Sequence, residues 1–226
     1  MNLFEKFGIV TENEHLYEIA FTHGSYSSDN NLKYSYERLE FLGDAVLSLI
    51  VSEYLYNKYP DCEEGSLTKL RANFVCQSAL IFYSHELNLR DYIRISSDNI
   101  YLTENEILSV TADIFESFLG AIFLDQGIEF AKDFVSKTIF KYIDEGRVFF
   151  FDYKSLIKEY GDSCELRVSY EILDEIGFPH DKTFTMAILI DGKQMGIGKG
   201  KNKKEAEQAA AKEAISKLNI GVLNEK

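Results

Sequence analysis

The sequence predicts an all-α domain followed by a small α+β domain of order α-β-β-β-α. Two observations carry that expectation. Through about residue 145 the apolar residues recur at helical spacing with few breakers, and only two prolines occur in the 226 residues. Beyond Glu145-Gly146 the period changes to alternation, and Asp191-Gly192 supplies a two-residue hairpin signal. The expected division is 1–146 for the helical domain, 147–151 for a linker, 152–220 for the second domain and 221–226 for a tail.

Helices are expected near 36–58, 66–87, 107–124 and 128–143, with Pro60 and Asp61-Cys62-Glu63-Glu64-Gly65 separating the first two. Asp152 suits the N-cap of a short helix over 153–160. Leu166, Val168, Tyr170 and Ile172 alternate with polar residues as in a strand; runs 183–190 and 193 to about 199 flank the hairpin turn. Asn202, with Glu205 three residues on, resembles a capping box opening a last helix near Lys203. Phe149-Phe150-Phe151 is unusually apolar for a linker.

At this length one large or two modest domains are expected. No apolar stretch approaches the roughly 18 residues of a membrane span. The start, MNLFEKFGIVTENEHLYE, carries early acids and lacks the basic and apolar regions of a signal peptide, so a cytoplasmic location is expected. Cys62, Cys76 and Cys164 are scattered and lack C-x-x-C spacing, which predicts reduced, mostly buried thiols. The net charge of −13 is uneven: residues 152–226 hold 12 basic and 13 acidic side chains, residues 1–151 hold 12 and 24. A polyanion would be repelled by the front half unless cations or a basic module compensate.

The most informative acids lie on otherwise apolar helices. Glu37, Glu40 and Asp44 fall at i, i+3 and i+7, within about 60° of one helix face, extended by Ser48 and Ser52. Around them Leu39, Leu42, Val46, Leu49, Ile50 and Leu55 call for burial. Asp113 and Glu116 fall at i, i+3 on the second apolar helix, with Ser109 and Gly120 above and below. A solvated acidic face on each helix would explain such spacing. A narrow polar stripe against near-complete apolarity favours a site instead, because crowded, desolvated carboxylates call for a cation. An all-oxygen donor set suits Mg²⁺ or Mn²⁺ and phosphodiester hydrolysis.

ERLEFLGDAVL at 37–47 resembles the signature of the bacterial ribonuclease III family. AFTHGSY at 20–26, EGSLTKLRAN at 64–73, LNLRDYI at 87–93 and ADIFESFLGAIFLDQG at 112–127 follow the same pattern in the same order. The resemblance implies a dimeric, double-strand-specific endoribonuclease with one active centre per subunit. It assigns catalysis to Glu40, Asp44, Asp113 and Glu116, metal ligation to Glu40, Asp113 and Glu116, and accessory roles to Glu37 and Glu64. Mg²⁺ is the implied cofactor, with Mn²⁺ able to substitute. Metal-activated water would leave 5′-phosphate and 3′-hydroxyl ends with a short 3′ overhang, in ribosomal and other structured RNA precursors. His23 matches a family motif and is expected to cap or support; His15 and His85 have no constellation. Glu106-Ile107-Leu108 replaces the family's usual basic residue and proline.

The second domain's order resembles the double-stranded-RNA-binding fold, which reads A-form shape over about 16 base pairs. Lys193, Lys199, Lys201, Lys203 and Lys204 fall within twelve residues free of acids. Lys203 and Lys204 open a helix, where cations are unfavourable unless a phosphate binds. A solvated lysine cluster is the plainer alternative. The glycines of GIGKGKNKK lack nucleotide-loop spacing, so no nucleotide cofactor is expected. By resemblance Lys154 and Lys158 lie on a minor-groove helix, Lys158 where glutamine is usual, and His180 lies in a loop resembling G-P-x-H. A non-cleaving duplex-RNA binder is the competing reading; an acidic interaction protein fails to explain the C-terminal lysines. Neither a membrane nor a nucleotide is an expected partner.

Overall fold

The computed structural model describes residues 3–96, 103–178 and 181–218. They form two units, divided in the chain between Phe150 and Phe151.

The first unit is helical. Three short helices, α1 (Leu3–Phe7), α2 (Glu14–Ala20) and α3 (Gly24–Asp29), precede the long α4 (Glu37–Lys58). At five to seven residues each, they are too short for a periodic signal, and sequence reading passes over them. The single helix expected over 66–87 is two, α5 (Glu64–Val75) and α6 (Gln77–Leu87). Cys76 between them adopts extended backbone (φ −72°, ψ 158°), a break that no proline or glycine announces. A 3₁₀ turn, Leu89–Tyr92, leads to Arg94, whose backbone N–H donates to Phe21 O and whose carbonyl accepts from His23 N.

Helix α7 (Glu104–Gln126) begins with a capping box. Thr103 Oγ1 accepts from Glu106 N, and Glu106 Oε2 accepts from Thr103 N at 2.7 Å. The acid that departs from the family pattern therefore starts the helix. Within α7, Glu106–Gln126 is long and apolar enough to cross a membrane by length and composition, in contrast to the sequence expectation. Its Ile114, Phe115, Phe118, Leu119 and Ile122 are instead buried in the helical core against Leu47, Ile50 and Leu55 of α4. Gly127 (φ +83°) ends it, and α8 (Ile128–Val135), a π turn (Ser136–Phe140) and α9 (Lys141–Asp144) close the unit.

The second unit has the predicted order: α10 (Tyr153–Ser163), β1 (Val168–Phe178), β2 (Asp181–Ile190), β3 (Lys193–Gly200) and α11 (Lys203–Leu218). The sheet is antiparallel in order β1-β2-β3. Asp191 and Gly192 both have positive φ (48° and 76°), as a type I′ hairpin turn requires. Asp152 caps α10 through Ser155 N, and Asn202 Oδ1 accepts from Glu205 N at 3.0 Å. Ile157, Ile188, Ala210, Ala214 and Ile215 form the core. β1 continues six residues past the predicted Ile172, through an irregularity between Ile172 and Asp174.

Two further expectations are corrected. Leu49 is 58% exposed and Phe41 82%, so α4 keeps an apolar face outside its own core. Among the described residues the three thiols are free but not mostly buried: Cys62 and Cys76 are half-buried and Cys164 is exposed. The last two flank helix ends, where packing is incomplete.

Candidate functional site

The site begins with two glycines. A Cβ on Gly43 of α4 would lie 1.7 Å from the Glu116 carbonyl oxygen of α7; one on Gly120 would lie 2.3 Å from Leu39 O. The two backbones therefore touch, which only residues without side chains allow. Glu40 and Asp44 flank Gly43, and Asp113 and Glu116 occupy the facing stretch of α7. Contact at the backbone forces the four carboxylates into one another's field.

Their electrostatics record that proximity. Glu116 is 9% exposed. Burial, then the charges of Asp44, Glu40 and Asp113, push its pKa up from 4.5 to about 8. Glu40 is raised by burial and then by Asp113, Glu37 and Asp44. Asp113 is raised by burial, against the pull of a hydrogen bond from Tyr36 and the charge of His23. Asp44 is the exposed member. Among the described residues no three His, Cys, Asp or Glu side chains already enclose a point where an ion would sit.

Tyr36, immediately before α4, was not singled out by sequence. Its hydroxyl donates to Asp113 Oδ2 at 3.0 Å, and its ring stacks on His23 at 5.9 Å. His23 caps α3: its Nδ1 accepts from Ser25 N and meets Ser25 Oγ at 2.8 Å. His23, Tyr36 and Asp113 thus form a support leading to the acids. A tyrosine directly before the acidic stripe was the available signal. Glu37 is exposed in the first turn of α4 and loads Glu40. Glu64 is exposed at the start of α5, with Oε1 accepting from Thr68 Oγ1 at 3.1 Å. His15 pairs with Glu18 on the surface, and His85 is exposed.

In the second unit Lys203 and Lys204 are exposed in the first turn of α11, and Lys193, Lys199 and Lys201 are exposed just before it. Lys158 is exposed on α10. Lys154 is engaged internally, ion-paired to Glu207 and 5.3 Å from the Tyr170 ring. His180 lies outside the described residues. The glycines of β3 have a packing role: a Cβ on Gly198 would lie 2.2 Å from both Ala206 O and Ala210 N, and one on Gly196 2.3 Å from Ala210 O. They let α11 lie directly on β3, with its lysine-bearing first turn beside the strand's end.

The family profile described as Ribonuclease-III-like matches residues 13–143, and that described as Double-stranded RNA binding motif matches 153–218. Ribonuclease 3 of Lactiplantibacillus plantarum is 44% identical over 96% of this chain and 95% of its own. Ribonuclease 3 of Anoxybacillus flavithermus is 43% identical, covering 95% and 92%. The nuclease domain of ribonuclease III from Campylobacter jejuni superposes with a TM-score of 0.57 at 38% identity, over 62% of this chain and 94% of that one; its solved structure is described as flexible in a region involved in dimer formation.

Proposed function

The chain belongs to the ribonuclease III family, and from that premise we propose an endoribonuclease that cuts both strands of double-stranded RNA at Glu40, Asp44, Asp113 and Glu116. The convergence of these four at the α4–α7 crossing carries the reading. Their chemistry fits Mg²⁺, or Mn²⁺ in its place: all donors are oxygens, Glu116 is buried, Glu40 and Asp113 are half-buried, and burial with the neighbouring charges resists ionisation of Glu40 and Glu116. Glu40, Asp113 and Glu116 would hold the ion, which would supply an activated water and charge stabilisation for in-line attack on a phosphodiester. Tyr36 fixes the orientation of Asp113. Gly43 and Gly120 hold the two carboxylate pairs at a set separation. Asp44 faces solvent, from which substrate and water arrive, with Glu37 and Glu64 as accessory acids.

In this reading residues 1–146 are the endonuclease domain, 152–220 the duplex-binding domain and 147–151 their junction. Lys203 and Lys204 meet phosphate with the N-terminus of α11. Lys158 adds a backbone contact, and His180 a minor-groove one. Lys154 joins only by leaving Glu207. Products carry 5′-phosphate and 3′-hydroxyl ends with short 3′ overhangs, and the substrates are structured precursors such as ribosomal RNA in the cytoplasm.

Two copies act together through the endonuclease domain. Phe41, 82% exposed, lines a groove of about 940 Å³ with the apolar Leu16, Ile19 and Leu124 and the charged Lys33, Glu37 and Arg38. A two-fold pairing would let each copy's exposed apolar face meet the other's. A Phe41→Asp chain running as a monomer in light scattering is the expected outcome; an unchanged mass would remove this face from the interface.

The function is tested with an RNA duplex of about forty base pairs, more than twice one module's roughly 16. Short products on both strands with Mg²⁺, and none with chelator, are expected. Intact RNA in both, with a mobility shift on a native gel, would make the chain a non-cleaving binder.

A further inference from the structure

The chain leaving the helical unit is held by a device that neither catalysis nor RNA contact explains. Asn73, near the end of α5, turns its amide onto the backbone of the exit segment. Its Nδ2 donates to Arg147 O at 2.8 Å, and its Oδ1 accepts from Phe149 N at 2.7 Å and Phe150 N at 2.9 Å. One side chain thus satisfies three backbone groups of a segment in no helix or strand. The side chains of the segment reinforce it. Phe149 packs on Phe74, Phe82, Tyr83 and Tyr142 with ring centroids 5.3–6.2 Å away. The Arg147 guanidinium lies 3.9 Å from the centre of the Phe82 ring.

We propose that Asn73 is a positioning residue that shortens the leash between the endonuclease and the duplex-binding unit. The last pinned amide is Phe150 N, and Asp152 already caps α10 through Ser155. The free leash is therefore about three residues, roughly 10 Å of extended chain. With 148 and 149 released as well, and Arg147 N still held on Tyr142 O at 2.9 Å, it would be about five residues. A short leash keeps the duplex-binding unit, and the RNA it carries, at high effective concentration near the cutting site. That concentration falls roughly as the −3/2 power of leash length. This role rests on the two-unit nuclease reading; the latch itself does not.

The experiment uses the full chain with Asn73→Ala, Asn73→Asp and, separately, a three-residue Gly-Ser-Gly insertion between Phe150 and Phe151. In Asn73→Ala, hydrogen exchange at the Phe149 and Phe150 amides should rise about tenfold or more, since the loss of each acceptor bond is worth about a factor of ten. Asn73→Asp keeps the acceptor and should exchange more slowly than Asn73→Ala. KM for a long RNA duplex should rise about twofold in Asn73→Ala and about threefold in the insertion, with kcat unchanged. The insertion leaves the latch intact, so it should raise KM without changing amide exchange. Unchanged exchange in Asn73→Ala overturns the latch. Faster exchange with an unchanged KM, or an insertion that leaves KM where it was, overturns the leash. A fall in kcat matched by a lower melting temperature of the helical unit would make Asn73 a structural residue only. If the unaltered chain fails to cut or bind duplex RNA, the nuclease reading and the leash fall together, while exchange still judges the latch.

Discussion

The two units solve one packing problem in the same way and place opposite charges on the result. In the helical unit Gly43 and Gly120 bring α4 against α7. In the α+β unit Gly196 and Gly198 bring α11 against β3. In both, missing side chains let backbones touch, and charged side chains flank the contact. The first contact gathers acids that are partly buried and mutually repelling; the second presents lysines that are exposed. Buried charge is costly and is worth holding where an ion and a scissile bond meet. Exposed charge is cheap and suits a polyanion that must bind and leave. In the proposed function, cutting belongs to the helical unit and holding to the α+β unit.

The strongest way to break the comparison is to fill the contacts. Gly43→Ala is expected to destabilise the helical unit by about 3 kcal/mol or more, since its Cβ meets backbone that cannot rotate away. Gly198→Ala should do the same to the α+β unit alone. Thermal unfolding of each full-length variant, followed by amide exchange in both units, reads this out. A melt in the wrong unit, or in neither, would undo the parallel.

Next in size is the pH dependence, which the acidic contact should show and the basic one should not. Glu116 titrates at about 8 when folded against 4.5 ordinarily, so the folded unit holds its proton more tightly than the unfolded chain. The associated stability is complete below pH about 4.5 and is lost as pH rises through 8, by on the order of a few kcal/mol. Glu40 and Asp113, also raised, act in the same direction. Denaturant unfolding in chelator across that range should show the slope, and Glu116→Gln or added Mg²⁺ should flatten it. A metal-free unit that gains stability with rising pH would contradict the burial of the acids.

Smaller effects sharpen the division of labour. Lys203→Ala with Lys204→Ala should weaken duplex binding about tenfold and lower its salt slope by about two, leaving kcat at saturating RNA unchanged. A fall in kcat would place those lysines at the chemistry. Tyr36→Phe removes one hydrogen bond to Asp113 and should slow cleavage about five- to tenfold, with duplex affinity unaltered. Equal loss of affinity would make Tyr36 an RNA contact instead.

Much of this contrast was legible in the sequence, for stated reasons. Acids at i, i+3 and i+7 on an apolar helix are readable because helix geometry converts spacing into a face. The hairpin at Asp191-Gly192 is readable because both residues accept positive φ. The α5–α6 break at Cys76 left no signal, since an ordinary residue there takes extended backbone without cost. The exposed side of α4 was hidden for another reason: Phe41 and Leu49 look like core in a single chain, because apolarity does not say whose core. Gly43 lies inside ERLEFLGDAVL, and only the approach of α7 gives it a role that spacing along α4 does not show. Phe149 was visible only as an apolar oddity, and Asn73, which gives it meaning, lies 76 residues away.

The division of labour is tested most directly with the full chain carrying Glu116→Gln. Single-turnover cleavage of a long RNA duplex in saturating Mg²⁺ is measured beside binding to the same duplex on a native gel. Cleavage is expected to slow by about a hundredfold or more, because an acid of the proposed centre is lost, with affinity within about twofold of the unaltered chain. Cleavage at the original rate would remove Glu116 from the chemistry and overturn the proposed carboxylate centre.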